Sequence, residues 1–363
     1  MAKGSYIGVN SVARKVKKCY IGVDGVARKV KKAYIGVNGV ARLFYNSSPF
    51  GTLCYVSIKN NAVCVSLTDD FLSTTKTYTI PNAMVSVAPS NYNIAKFHDY
   101  YYISYRDSSN SWYKIVKTKD FINYSEVDSD SSRVLDTNLM RQVGNNVVYF
   151  TPYYHEYVST DKGETFNLSS FTYYTNNQAA DSNYLYTLLY SDGSYISFRR
   201  VNVVTGVADL IGQNFVWTKS TYGNVTTQCA SDNMVLFFTD RSNVLKFTNQ
   251  GNSYQWISTS TFNTSNYVEN VTYFNGYYYA LTNTTKLYRS SDGASWSLLY
   301  DWNTSSIVSR NIYVNNNILY VTLCINQLDY TASDDKTNVY YSTDVSAFTS
   351  VQIDGCVKTI ISV

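Results

Sequence analysis

Two rhythms of apolar and polar positions divide the chain. From about residue 50 onward, apolar-rich runs of strand length are separated by clusters of Asn, Asp, Ser, Thr and Gly. Runs at 147–151, 155–159 and 166–170 form one set, and 277–281, 286–290 and 296–300 another. A third set spans 318–323, 339–342 and 348–353, and one more run precedes a set, as at 268–274 or 310–314. Val, Tyr, Phe and Thr suit pleated, half-buried positions, so these runs predict strands. Four short strands per unit, repeated, predict the blades of a β-propeller.

The turns give the period. Ser159-Thr160-Asp161-Lys162-Gly163-Glu164-Thr165-Phe166 is the fullest version, Ser290 to Trp296 a shortened one, and Ser342-Thr343-Asp344 with Phe348 a degenerate one. Ser/Thr and Asp oxygens accept hydrogen bonds from turn amides, and Gly takes a positive φ without a Cβ penalty. The aromatic is expected to wedge into the sheet. Related turns fall near Asp69, Asp120, Asp161, Asn202, Asn249, Asp292 and Asp344, with gaps of 51, 41, 41, 47, 43 and 52 residues. The fourth, at 201–207, rests on spacing alone. Seven blades are therefore expected. The first unit, beginning at 52–58, lacks an inner strand, and a spare strand is expected at 356–363 to supply it and close the ring.

Residues 1–46 follow a different rule. Units of 14 residues begin at Tyr6, Tyr20 and Tyr34, reading YIGVNSVARKVKKC, YIGVDGVARKVKKA and YIGVNGVARLFYNS. Asn10-Ser11, Asp24-Gly25 and Asn38-Gly39 sit where two-residue hairpin turns belong. The simplest layout is a meander with strands at 5–9, 12–23, 26–37 and 40–45. It places Lys17 opposite Lys32 and Lys18 opposite Lys31, a repulsive arrangement that a second bend at the Lys-Lys pairs would relieve. Tyr20 opposite Lys29 suits a cation–π pair.

Charge separates the same two parts. Residues 1–45 hold ten Lys and Arg against Asp24, a net +9, whereas the remainder carries −5. A docking arm, residues 1–46, is thus expected ahead of a propeller, residues 47–363. Tyr6, Arg14, Lys17, Tyr20, Arg28, Lys31, Tyr34 and Arg42 are its candidate contacts with an acidic protein surface; a solvated cationic tail is the alternative, and nucleic-acid binding a weaker one. The six Cys show no metal spacing and are expected as free, mostly buried thiols. With no leader-like segment or membrane-length apolar run, the chain is expected to be made in the cytoplasm and to be soluble.

The tandem YIGVNGVARKVKK-type units resemble those at the N-termini of virion proteins from tailed phages and prophages of clostridia and related Firmicutes. That resemblance covers roughly the first 45 residues. It implies a particle component, present in multiple symmetric copies, with other virion proteins (an acidic capsid, neck or tail surface) as partners. A host surface glycan or protein is a further candidate partner. The turn around Asp161, Gly163 and Phe166, with its relatives at Asp292, Gly293, Trp296 and Asp344, resembles the Asp box of sialidase-like propellers. In those folds it is a structural device, so its Asp residues are not expected to be catalytic.

A sialidase would further need an arginine triad, a Tyr/Glu pair and an acid Asp. No R-I-P or R-L-P occurs, and Glu is scarce in the body (Glu126, Glu156, Glu164, Glu269). Arg106, Arg241 and Arg289, from strand ends of different blades, could cluster only by chance. Of the two His, His98 and His155, His155 precedes a strand and is expected in a surface or packing role. Nothing marks a P-loop, a G-x-S-x-G or an H-E-x-x-H. The chain is expected to be non-enzymatic, without cofactor or metal.

Overall fold

A computed structural model describes the arm at 6–9, 12–15, 20–23, 26–29, 32–37 and 40–46. It also describes 52–363 apart from 60–61, 70, 72–73, 86–91, 131–134, 136, 138–139, 144, 151–155, 169–177, 182, 192–193, 203–207, 212–216, 232–233 and 326–334. From residue 52 the chain forms seven antiparallel sheets arranged as a propeller. Blades 2 to 7 span 93–130, 140–168, 178–218, 225–258, 268–301 and 307–354. In each, four consecutive strands run from the ring's centre outward, and first strands of neighbouring blades touch one another.

Burial follows position within the blade. The second strand of blade 7, Ile318–Ile325, is buried along nearly its whole length, because neighbouring blades cover both of its faces. Its apolar run is therefore continuous and not alternating. The outermost strand of blade 1, Thr74–Thr79, is Thr-rich, carries Lys76 and is mostly exposed, and the charge discourages edge pairing.

The ring closes as the spacing predicts. Blade 1 takes its innermost strand, Ile360–Ser362, from the C-terminus, pairing Ile360 with Tyr55, Ile361 with Cys54 and Ser362 with Leu53. The Val363 amide donates to the Thr52 carbonyl at 2.9 Å. Two details differ from expectation. The closing strand has three residues, not the eight of 356–363. Cys324 and Cys356, expected as free thiols, instead form a disulfide that ties the closing segment to blade 7, with Cα atoms 5.2 Å apart. The Thr337 hydroxyl, which donates to the Gly355 carbonyl at 2.7 Å and accepts from the Val357 amide at 2.8 Å, turns the chain toward Cys324 and away from blade 1. Cys54, Cys64 and Cys229 form no disulfide among the described residues.

The arm forms three hairpins, each a two-stranded sheet of its own. They pair Tyr6–Val9 with Val12–Lys15, Tyr20–Val23 with Val26–Lys29, and Lys32–Val37 with Val40–Asn46. The paired strands flank the expected two-residue connections, and residues 16–19 and 30–31, through which the 12-residue strands of a meander would continue, lie outside the described residues.

Ile360 is fully buried between the first and last blades. Ile360→Ala is expected to cost about 2–5 kcal/mol, measured as a lowered urea midpoint for the whole chain.

Candidate functional site

The Ser/Thr-x-Asp turns connect the third and fourth strands of their blades. The first hydroxyl caps the turn: Thr68, Thr118, Ser290 and Ser342 accept from the amides of Phe71, Phe121, Gly293 and Val345 at 2.8–2.9 Å. In the fullest turn Ser159 accepts from Gly163 at 2.7 Å, and Asp161 accepts from the Ser159 hydroxyl and from the amide and hydroxyl of Thr165. These bonds favour the charged carboxylate. Thr165 holds the Asp161 carboxyl well below the usual range, and the amides of Ser295 and Ser346 lower Asp292 and Asp344. Each carboxylate is thus engaged as a local acceptor.

The turns also join one blade to the one before it. The capped residue has a left-handed backbone: φ is 70° at Gly293 and 94° at Gly163, but also 64° at Phe71, 61° at Phe121 and 64° at Val345. A bulky residue there costs about 1–2 kcal/mol. Its side chain offsets that cost by filling the neighbouring blade. Phe71 of blade 1 stacks on Tyr341 of blade 7 at 5.7 Å, and Phe121 of blade 2 lies 5.5 Å from Tyr78 of blade 1. Val345 of blade 7 packs among Tyr279, Leu281 and Leu287 of blade 6. Where the residue is Gly, the neighbour fills the space. A Cβ on Gly293 would meet Leu236 of blade 5 at 2.7 Å, and one on Gly163 would overlap the Tyr102 hydroxyl of blade 2. Phe166 meets Tyr102 edge-on, and Trp296 meets Phe238 likewise.

Basic side chains complete three of these joints. Lys117 of blade 2 donates to the carbonyls of Gly163 and Glu164, Arg200 of blade 4 to Gln250, and Lys246 of blade 5 to Asp292. Burial lowers the Lys117 pKa, against the pull of Glu164 and Asp161.

Inside the ring lies a cavity of about 740 Å³, walled by the first strands of blades 3 to 7 and by Thr359. Each of these strands is the end of its sheet, so its inner edge presents backbone N–H and C=O groups to the cavity. The charged lining residues are already engaged. The Arg141 guanidinium donates to the Met140 carbonyl at 2.7 Å. Asp181 accepts from the Asn183 and Tyr184 amides and the Tyr186 hydroxyl. Glu269 pairs with Arg310 at 3.3 Å. The Cys229 thiol in the wall is pushed up to about 12 by burial, partly opposed by Arg141, and is neutral at pH 7. The remaining lining is largely neutral: Thr227, Gln228, Asn270, Thr272 and Asn311, with the ring of Tyr273, 40% exposed.

This lining escaped sequence reasoning, although Val268–Phe274, reading VENVTYF, was placed as a strand. The polar residues Glu269, Asn270 and Thr272 within that strand are the signal its sequence offers. Arg106, Arg241 and Arg289 do not form a triad. Arg106 donates to the Ser111 carbonyl and lies over Tyr113, Arg241 donates to Ser220 and Thr221, and Arg289 lies over Tyr277.

In the arm, Tyr6 lies opposite Lys15, Arg14 opposite Ile7, Tyr20 opposite Lys29, Arg28 opposite Ile21, Tyr34 opposite Leu43 and Arg42 opposite Ile35. The expected Tyr20–Lys29 register holds. Lys17 and Lys31, like His155 in the body, lie outside the described residues.

No protein-family model matches the chain, and neither does any curated protein. Solved structures similar to it include apo AztD from Citrobacter koseri, at 11% identity and a TM-score of 0.46, over 86% of this chain and 97% of that one. The computationally designed Ika8 protein is similar at 8% identity and 0.49, over 86% and 91%. YCF48 from Cyanidioschyzon merolae is similar at 10% identity and 0.44, over 91% and 98%.

Gly293→Ala is expected to destabilise the chain by about 2–4 kcal/mol, from its left-handed backbone and the Leu236 contact, read from urea unfolding. A second expectation concerns acid. The turn carboxylates have folded-state pKa values below their unfolded value of about 3.9, so their stabilisation is present above that pH and lost as pH falls toward the folded values. Urea midpoints should therefore drop steeply below about pH 4, and Asp161→Asn should flatten that drop while lowering the midpoint at pH 7.

Proposed function

We propose that the chain is a non-catalytic structural component of a tailed-phage particle, docked through its basic arm with the propeller carried outward. The observation supporting this most is the arm's repetition: three separately paired hairpins place the same residues in the same register, Ile7↔Arg14, Ile21↔Arg28 and Ile35↔Arg42. Such a repeat offers equivalent contacts to an acidic, symmetric surface, and several weak contacts on one tether add through effective concentration. The opposite charge of the body, −5 against +9, disfavours binding of the propeller to the surface that the arm would recognise.

A second reading makes the propeller a receptor-binding module at a tail tip. The half-exposed Tyr273 ring in the wall of the central cavity favours it. Immunogold labelling of intact particles separates a capsid or neck position from a tail-tip position.

A variant lacking residues 1–46 is expected to retain the circular-dichroism signature of the full chain and to be at least about tenfold depleted from purified particles. Normal incorporation of that variant would overturn the docking assignment.

A further inference from the structure

The central cavity combines features that the docking role does not use. About 740 Å³ lies within the range of about 300–1,000 Å³ usual for small-molecule sites. Its walls supply donors and acceptors from the unpaired inner edges of five blades. Asn270 donates its amide to the Arg310 carbonyl at 2.9 Å, which directs its side chain and leaves Oδ1 as an acceptor. The hydroxyls of Thr272 and Tyr273 hydrogen-bond to nothing among the described residues. Tyr273 is backed by Tyr278, with ring centroids 4.9 Å apart, and this contact holds an exposed ring in the wall of a polar cavity.

We propose that this cavity binds a neutral oligosaccharide, with Tyr273 as the ring against which one sugar packs. A pyranose needs an apolar platform for its C–H face and many hydrogen-bonding groups around its rim. The Tyr ring meets the first need at low conformational cost. Asn270, Thr272, Gln228 and the strand edges meet the second. The charges select against an acidic sugar: Asp181 and Glu269 outnumber Arg141 in the lining, and each is already held by a protein group. An extended peptide fits less well. The inner edges converge from several blades, so none offers one long unobstructed ladder.

The proposal deepens the receptor-binding reading by giving it a site and a ligand class. Its failure is separable from that of arm docking, because the readout is sugar binding by the purified full chain and not particle incorporation. The experiment is saturation-transfer-difference NMR with a panel of neutral trisaccharides containing glucose, galactose, mannose or N-acetylglucosamine. 3′-Sialyllactose serves as the acidic probe and tetra-alanine as the peptide probe.

At least one neutral trisaccharide is expected to receive saturation. Tyr273→Ala should weaken it at least tenfold, Tyr273→Phe should retain most of it, and Tyr277→Ala, outside the cavity wall, should leave it unchanged. Circular dichroism on each variant establishes that the fold is intact. Silence across the neutral panel, equal response from sialyllactose or tetra-alanine, or binding that survives Tyr273→Ala would overturn the proposal.

Discussion

The ring depends on one joint: the left-handed residue that follows the Asp of each Ser/Thr-x-Asp turn and meets the preceding blade. Within its own blade the turn needs only a hydroxyl, a carboxylate and a few amides. What makes it architectural is the direction of the capped residue. Phe71, Phe121 and Val345 accept an unfavourable backbone so that their side chains enter the neighbouring sheet. Gly293 and Gly163 solve the same problem in reverse, admitting Leu236 and Tyr102. The joint recurs from blade to blade because each blade offers a third strand and a turn in the same place. Lys117, Arg200 and Lys246 are the polar version of the same contact.

Much of the fold was legible because it is written locally. A hydroxyl, an Asp and a Gly or aromatic within eight residues identify the turn, and turns spaced 41 to 52 residues apart count the blades. Even the fourth turn, without its signature, falls between strands Ser194–Asn202 and Ala208–Ile211. The cross-blade half of the joint was not legible, because Lys117 and Gly163 lie 46 residues apart and nothing near either names the other. The Cys324–Cys356 disulfide was missed for a similar reason. The two cysteines lie 32 residues apart, and only the loop held by Thr337 brings Cys356 to blade 7.

The arm and the cavity show two further limits of local reading. Turn chemistry located the hairpin pairings, with Val9 opposite Val12 and Val23 opposite Val26, but nothing local to the repeat says what surface the arm meets. The cavity lining is written across five blades, one short stretch from each, so no window of sequence contains it. Tyr273 is one Tyr among 37, and only the ring's geometry distinguishes it from the others.

Closure by the C-terminus has a mechanical consequence. The arm is covalently continuous with the second strand of blade 1, Leu53–Lys59, and not with an outer edge. A pull on the tether therefore enters a strand held on both sides, by Ile360–Ser362 and by Ala62–Thr68. Peeling that strand away means breaking two ladders at once. Ile360–Ser362 thus act as a clamp on the first strand of the propeller, and a force applied through the tether would have to break both ladders before it opened the ring.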